Sequence, residues 1–352
     1  MRKIPKKWRE LPKEERFKIP TKYFNIDEKT INNIRKISDA KKRLVEAARI
    51  QYEMFSDIHS YLTAWMAGYG SDVIIRQKFG STQNLLNLFF KPIRFPKKIK
   101  PSWQDIKRRI KIPEEMTEEL AEETGIHIGD GNLYISTDKD GFKSYRYGIS
   151  GDLINEYLYH KEYISKLMKR LYNLEPYLLK REKKNCIEST YKSKAIVEFK
   201  NKILKLPIGS KKNIKIPKEI LKNKEFQRRC VVGIIDTDFS ITKDLSISGK
   251  INNLFVVKEI HKILTENKIP HKHTIYSNYG RFYINKEGAI KIIEEWKLNN
   301  IKHISKYKLL KEFGKFISFS TTPERLAILE GKIDINELER ICEKRRASVK
   351  AL

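Results

Sequence analysis

The sequence is short of cysteine and has no long apolar run. Its three cysteines, Cys186, Cys230 and Cys342, are widely spaced and form no Cys-x-x-Cys pair, which argues against a disulfide framework or a cysteine-rich zinc site. We expect them to fill buried apolar positions. No apolar run approaches the roughly 18 residues that cross a bilayer, and the charged start lacks the apolar segment of a signal peptide. We therefore expect no membrane attachment and an intracellular, cytoplasmic location.

Acidic residues are also scarce relative to basic ones. The 352 residues include 73 Lys and Arg against 44 Asp and Glu, a formal net charge of +29. The aromatic share of 11% and the hydrophobic share of 40% are normal for a folded protein, so the charge does not mark a disordered tail. A folded protein with this charge is expected to bind a polyanion, and nucleic acid is the leading candidate.

One short pattern occurs twice, as Gly125 to Asp130 and as Gly233 to Asp238. In each copy the glycine lies in an apolar helical stretch, and the aspartate falls where the helix must end. Helices that pack at such glycines bring the two carboxylates together, because Gly has no Cβ. Adjacent carboxylates repel unless a cation lies between them, and a divalent metal with oxygen ligands is the usual solution. Alone, Asp130 would indicate an ordinary turn; the duplication favours a metal site.

The segments after the two aspartates also repeat. Each motif helix is followed by a strand pair, a helix, a second strand pair and another helix, and Ile-Ser-Gly triplets recur at residues 149–151 and 247–249. The expected fold class is therefore α+β. It consists of two pseudo-symmetric αββαββα halves, residues 113–222 and 223–321.

Two further regions flank these halves. Residues 1–112 are expected to form a mainly helical, basic N-terminal region, in which residues 71–90 have the outline of a helix-turn-helix. An αα-hairpin without DNA contact fits the same pattern. Residues 92–113 are rich in proline and basic residues, so we expect a linker whose charges face solvent or contact phosphate. Residues 322–352 are expected to form a basic, helical C-terminal extension.

These residues resemble the LAGLIDADG family of homing endonucleases and related maturases. The nine-residue family motif matches Glu123–Gly131 and Val231–Phe239, with its eighth-position acid at Asp130 and Asp238. The resemblance covers about residues 115–320. It implies that the motif helices form the interface between the halves, and that the two four-stranded sheets form a DNA-binding saddle over the major groove. It also implies a monomer, because one chain supplies both halves.

The sequence departs from the family motif at two positions. Phe239 replaces the closing glycine of the second copy, which puts the local backbone and cleavage activity in question. Ile128 occupies the sixth position, where an acid is frequent and where the second copy has Asp236. We take the sixth position to be structural.

The resemblance implies a site-specific endonuclease that hydrolyses double-stranded DNA with Mg²⁺ or Mn²⁺ and serves intron homing. Asp130 and Asp238 would bind the metal, with the backbone carbonyls of Gly129 and Thr237 as further ligands. The DNA target would span about twenty base pairs. The alternative is an RNA-splicing maturase that binds intron RNA, or a non-cleaving DNA-binding regulator on the same scaffold.

Each half ends in a lysine-containing segment, residues 206–213 and 300–307. Lys212 and Lys306 are the candidate catalytic bases or phosphate contacts near the scissile bond, with Lys211 as the alternative to Lys212. A solvent-exposed surface lysine is the simpler interpretation of each in a chain so rich in lysine.

Histidines give a weaker signal. His271 and His273 have the spacing of a strand metal pair, but no nearby cysteine completes a site, so we expect them to be exposed or to face DNA. His127 is expected to be a packed helix residue rather than a ligand.

Base recognition would fall to alternate residues of the strands, because a sheet in the major groove presents one face to base edges. The candidates are Asn132, Tyr134, Ser136, Arg146, Lys180, Glu182, Thr190, Lys192, Lys243, Ser246, Lys272, Thr274, Tyr276, Arg281 and Tyr283.

Overall fold

The computed structural model describes residues 11–55, 57–89 and 95–350. The chain divides into two compact units, residues 1–93 and 94–352. Among the described residues, no helix is long and apolar enough to cross a membrane. Cys230 and Cys342 are buried as expected, whereas Cys186 is half-buried.

The first unit is helical, as the sequence predicts. Asp27 caps the second helix by accepting a hydrogen bond from the Thr30 amide at 2.7 Å, and Trp65 and Leu44 are buried in its core. Gly80 separates two short helices, the outline expected for residues 71–90; DNA contact there stays a prediction. The helices are α1 (Lys13–Phe24), α2 (Glu28–Lys36), α3 (Ala40–Phe55), α4 (Ser60–Met66), α5 (Val73–Phe79) and α6 (Thr82–Leu86).

The second unit contains both αββαββα halves. The first half consists of α7 (Trp103–Lys107), α8 (Glu118–Asp130), β1 (Gly131–Thr137), β2 (Lys143–Asp152), α9 (Leu153–Leu158) with a π-helical continuation (Tyr159–Ile164) into α10 (Ser165–Tyr172), β3 (Tyr177–Arg181), β4 (Cys186–Lys192), α11 (Lys194–Glu198) with a π-helical continuation (Phe199–Ile203), and the connecting α12 (Lys218–Leu221).

The second half repeats this order and adds one helix. It consists of α13 (Lys224–Asp238), β5 (Phe239–Ile241), β6 (Ile247–Ile251), α14 (Leu254–Glu266), β7 (His271–Ile275), β8 (Gly280–Ile284), α15 (Lys286–Lys291) with a π-helical continuation (Ile292–Lys297), and α16 (Ile301–Phe313). The C-terminal extension follows as α17 (Thr322–Leu329) and α18 (Ile335–Lys350).

Both halves form an antiparallel sheet with the same topology. The strand orders are β1-β2-β4-β3 and β5-β6-β8-β7, so the first strand of each half lies at one edge. This confirms the α+β class with two pseudo-symmetric halves. The Ile-Ser-Gly triplets are not structural equivalents, however. Gly131 pairs with Ile149, whereas Phe239 pairs with Gly249, which displaces the triplets by two residues.

The segment expected to be a linker is instead packed against the first half. Ile99, Ile110 and Ile112 are buried in its core. Asp105 is 1% exposed and accepts hydrogen bonds from the Ser193 hydroxyl at 2.6 Å and the Ala195 amide at 3.1 Å. The linker prediction is therefore wrong for residues 95–112, because the apolar residues between the basic ones supply a buried face; residues 92–94 lie outside the described residues.

The C-terminal extension is helical, as expected, and it packs on both halves. In α17 the Thr322 amide donates to the Asn155 side chain of α9 at 2.8 Å. The buried guanidinium of Arg325 donates to the Ser305 hydroxyl of α16 at 2.9 Å. The extension therefore joins a helix of the first half to a helix of the second.

Candidate active site between the motif helices

Helices α8 and α13 pack at their glycines. A Cβ added to Gly125 would overlap the carbonyl oxygen of Cys230, and one added to Gly233 would overlap the carbonyl oxygen of Glu122. Glu122 also forms an ion pair with Arg229 of the facing helix. The glycines thus allow backbone contact between the two halves, as the sequence predicts.

Both aspartates are the last residues of their helices. The amide of Gly131 donates to the carbonyl of His127, and the amide of Phe239 makes the same bond in the second copy. A Cβ built on Gly129 would lie 3.5 Å from the carboxyl carbon of Asp238. The structure therefore brings Asp130 and Asp238 side by side, where each also precedes the edge strand of its sheet.

This environment disfavours negative charge on both carboxyls. Burial raises the pKa of Asp130 to about 7, and the charges of Asp238 and Glu156 add to the effect. Burial likewise raises the pKa of Asp238 to about 6, although this side chain is more open to solvent than that of Asp130. A divalent cation would relieve both costs, since carboxylates and carbonyls are the ligands that Mg²⁺ takes in proteins. The donor set fits such an ion.

Glu156 of α9 is a third carboxylate near the pair, and the sequence analysis missed it. It is 5% exposed. Its Oε1 accepts hydrogen bonds from Lys302 Nζ at 2.7 Å and Asn300 Nδ2 at 2.9 Å. The positive charge of Lys302 in turn opposes the rise in the pKa of both aspartates. The one feature of the sequence that could have indicated Glu156 is an acidic residue on the side of a helix that is expected to be buried.

The lysine at this centre is Lys211 rather than Lys212. Lys211 Nζ donates to the carbonyl of Ile128 at 3.0 Å and to the carbonyl of Gly129. Burial lowers the pKa of Lys211, while the two aspartates oppose that shift. Lys212 is exposed, and its carbonyl accepts a hydrogen bond from Asn253. The two lysines are adjacent in a segment without regular structure, so the sequence could not show which of them points to the aspartates.

Two backbone groups were expected to bind metal. The carbonyl of Gly129 accepts a hydrogen bond from Lys211, which leaves its second lone pair for a metal. The hydroxyl of Thr237 donates to the carbonyls of Gly233 and Ile234, each at 3.0 Å, and occupies the space beside Gly129.

Lys306 lies in α16 near the first strand of the second half. Its Nζ is 3.5 Å from the carbonyl oxygen of Ile241, the third residue of β5. In the first half the Gly209 amide donates to Leu133, the third residue of β1, at 2.9 Å. The lysine-containing segments that end the two halves, residues 206–213 and 300–307, therefore contact the same position of the first strand in each half. Burial lowers the pKa of Lys306 to about 8, with smaller effects from Arg325 and Lys302.

The structure accounts for both departures from the family motif. Ile128, at the sixth position of the first copy, is 6% exposed and packs in the hydrophobic core. Its counterpart Asp236 accepts hydrogen bonds from the amides of Asn299 and Asn300 at 2.9 and 3.1 Å and so holds the start of α16. A Cβ on Gly249 would overlap the ring of Phe239, which therefore fills the space above that glycine. The caps at Gly131 and Phe239 share an extended backbone, so the phenylalanine leaves the helix end intact.

His127 is fully buried, and its ring lies 5.3 Å from that of Tyr147, as expected for a packed residue. His271 and His273 pair with the buried residues Ile284 and Phe282 of β8. They lie on the helix side of the sheet rather than on its open face.

The open faces of both sheets carry polar and basic side chains. Strand pairing and exposure place on these faces Asn132, Tyr134, Arg146, Lys192, Lys272, Thr274, Arg281 and Tyr283. Lys180 faces the helices, with its Nζ 4.2 Å from the centre of the Tyr157 ring, and Ser246 is buried. Thr190 pairs with Gly148 and therefore lies on the open face, but it is only 6% exposed. Register and local packing, not alternation alone, decide which side chains are exposed.

No protein-family model matches the sequence, and no curated protein matches it. The chain is similar to solved structures of the homing endonuclease I-DmoI, among them its mesophilic variants and its complex with DNA and Ca. Each of these two shows 17% identity and a TM-score of 0.41 over 51% of this chain and 88% of that chain. A K262A mutant of I-SmaMI shows 9% identity and a TM-score of 0.37 over 67% of this chain and 98% of that chain. Likeness at this level leaves function to be argued from the residues of this chain.

Proposed function

We propose that the chain is a site-specific endonuclease that hydrolyses double-stranded DNA with a divalent metal ion. The observation that carries this proposal is the juxtaposition of Asp130 and Asp238 at the ends of two equivalent helices. Each aspartate directly precedes the first strand of a sheet with a polar and basic open face. The net charge of +29 favours a polyanionic substrate.

Asp130 and Asp238 would hold Mg²⁺ or Mn²⁺, with the carbonyls of Gly129 and Thr237 as further candidate ligands. When bound, the metal supplies charge neutralisation at the phosphate and a more acidic water. The two carboxyls lie next to each other at the interface between the halves. Each half would therefore contribute one acid to the cleavage of one DNA strand. Because both halves lie in one chain, we propose a monomer.

Lysine side chains around the aspartates would contact phosphate oxygens or accept a proton. Lys211 reaches the carbonyls of α8 beside Asp130, and Lys302 is held by Glu156, so both are placed to contact a phosphate oxygen. Lys306, with its pKa lowered to about 8, can accept a proton at mildly alkaline pH. Lys212 stays a candidate for contact with the DNA backbone.

A cleavage assay without a presumed target tests this function. Genomic DNA of the source organism is incubated with the full chain and Mg²⁺ or Mn²⁺, and new double-strand ends are mapped by sequencing. We expect ends at one sequence, which would span the insertion point if the gene lies in an intron. Asp130→Asn and Asp238→Asn should each reduce the rate by about 100-fold or more, whereas Glu219→Gln, an exposed acid on α12, should leave it unchanged.

Three outcomes would redirect the assignment. Sequence-specific DNA binding without cleavage in either metal would identify a DNA-binding regulator. Binding and splicing of an intron RNA without DNA cleavage would identify a maturase. Undiminished cleavage by Asp130→Asn would place the chemistry elsewhere.

A further inference from the structure

Three histidines of the second half lie together away from the paired aspartates. His261 comes from α14, and His271 and His273 come from β7. Each offers one ring nitrogen, and these atoms all lie within 4.8 Å of one another. In the described parts of the chain this is the one cluster of three or more His, Cys, Asp or Glu side chains with that spacing.

The fold explains why the three rings meet. His271 and His273 are two residues apart on a strand, so their side chains share one face. That face is the helix side, since the His273 ring lies 5.8 Å from that of buried Phe282. The His261 ring lies 3.9 Å from that of His273. The sequence showed only the strand pair, because the third residue comes from the preceding helix.

The cluster has the geometry of a three-nitrogen metal site. His261 Nδ1 and His271 Nε2 are 2.9 Å apart, and the full set spans at most 4.8 Å. A tetrahedral ion with Zn–N bonds of about 2.0 Å needs donor atoms about 3.3 Å apart. One observed separation is 2.9 Å and none exceeds 4.8 Å, so small side-chain rotations suffice to reach that spacing.

One ring also has the outer contact that metal-bound histidines usually make. His271 Nδ1 lies 2.7 Å from the carbonyl oxygen of Ile269. A carbonyl only accepts, so Nδ1 carries the proton and Nε2 keeps its lone pair. That lone pair points at the cluster, since Nε2 is the atom near His261.

We propose that His261, His271 and His273 bind one Zn²⁺ ion, with water at the fourth position. Three imidazoles suit zinc better than Mg²⁺, which prefers oxygen. The ion would join β7, the edge strand of the second sheet, to α14 behind it. Lys272 and Thr274 are exposed between and after the two strand ligands, so the ion would fix the open face of the sheet from behind.

Zinc and cobalt binding to the full chain tests this site. Equilibrium dialysis is done with ZnCl₂ in millimolar Mg²⁺, which occupies the aspartate centre, and we expect one Zn²⁺ per chain at sub-micromolar affinity. Co²⁺ in place of zinc should give the intense visible absorption of a four-coordinate ion. Zinc should also raise the melting temperature.

Single variants assign the ligands. His261→Ala, His271→Ala and His273→Ala should each weaken zinc binding by at least about 100-fold and abolish the cobalt absorption. Lys272→Ala, on the same strand but the opposite face, should retain both. Circular dichroism identifies any variant that does not fold. Because the ligands come from a helix and a strand, the variants that do fold still test the site. Absence of zinc binding, or binding that survives in folded His271→Ala, would overturn the site.

Discussion

An ion pair buried inside the first half gives a sharp stability prediction. The side chains of Glu123 and Lys200 are 1% and 0% exposed, and Lys200 Nζ lies 2.6 Å from Glu123 Oε2. The ammonium also lies 4.3 Å from the centre of the Tyr147 ring, and the Tyr172 hydroxyl donates to Glu123 at 3.3 Å. Each charge therefore depends on the other, because no solvent reaches either.

The second half shows that the same fold accepts an apolar pair at these places. Glu123 opens the first motif, and Val231 opens the second. Lys200 is the seventh residue after the helix cap Ser193, and Ile292 is the seventh after the equivalent cap Asn285. Val231 and Ile292 are both fully buried. The chain thus holds an ionic pair in one half and two buried apolar residues at the equivalent positions of the other.

The magnitudes follow from desolvation. Glu123→Val or Lys200→Ile alone leaves one buried charge without a partner, which should cost about 3–5 kcal/mol. The double variant removes both charges and restores apolar packing, so its stability should lie within about 1 kcal/mol of the natural chain or exceed it. Lys202→Ile is the control. Lys202 is 41% exposed and pairs with Glu198, so its loss should change stability by about 0.5 kcal/mol or less.

The single variant Glu123→Val also has a pH signature. Burial lowers the pKa of Lys200, and removal of its carboxylate partner lowers it further. Between the folded and unfolded pKa values the unfolded chain binds more protons, so stability should rise as pH increases toward the normal lysine value near 10.4. The double variant should lack this rise.

Thiol trapping in urea measures the free energy of unfolding of the unit that contains Glu123 and Lys200. All three cysteines lie in the second unit, residues 94–352, and Cys230 is buried in its core. Its modification therefore reports unfolding of that unit without a signal from the first. Single variants that each cost under about 1 kcal/mol, or a double variant as unstable as the sum of both, would refute the desolvation reasoning.

Further predictions concern the helix interface. Because the pKa of Asp130 is raised to about 7, a proton competes with metal below that pH, and calorimetry should show Mn²⁺ affinity rising from pH 6 to 8; a flat profile would contradict the assignment. The raised pKa also means that stability is lost as pH rises from 3.8, the ordinary value, to about 7, so metal-free Asp130→Asn should unfold at higher urea than the natural chain at pH 8, where that loss is complete. Gly125→Ala should destabilise by about 1–3 kcal/mol and weaken Mn²⁺ binding, because the new Cβ meets the Cys230 backbone. Phe239→Gly should cost about 3–5 kcal/mol by leaving a cavity, measured by the same thiol trapping.

The architecture could be predicted from the sequence because its signals are local or repeated. The motif helices end at their aspartates as expected, and the strand order of one half repeats in the other. Strand boundaries were less accurate. The sequence pattern predicts a strand over residues 241–245, whereas β5 covers Phe239–Ile241. Short strands carry little periodic signal, so the start of pairing is set by the helix end and not by the pattern.

The chemistry around the aspartates was harder to predict, because it depends on contacts between distant parts of the chain. Glu156 meets Lys302 across the two halves, 146 residues apart. Lys211 differs from Lys212 by one step in a segment without regular structure. His261 joins two strand histidines only when a helix packs behind its sheet. Each case needs a register, a packing angle or a rotamer that no local pattern contains.

The two halves share a fold but carry different side chains at several equivalent positions. The apolar Val231 and Ile292 replace an ion pair, and Phe239 over Gly249 replaces Gly131 opposite Ile149. Both halves carry an aspartate at the helix end, yet the surroundings of the two aspartates differ. Lys211 reaches the carbonyl beside Asp130. The amides of Asn299 and Asn300, just before α16, donate to Asp236, two residues before Asp238. The helix ends share one geometry because the two helices pack backbone to backbone at Gly125 and Gly233. The surrounding residues differ between the halves, so the repeat locates the centre, whereas its lysines are found only in the structure.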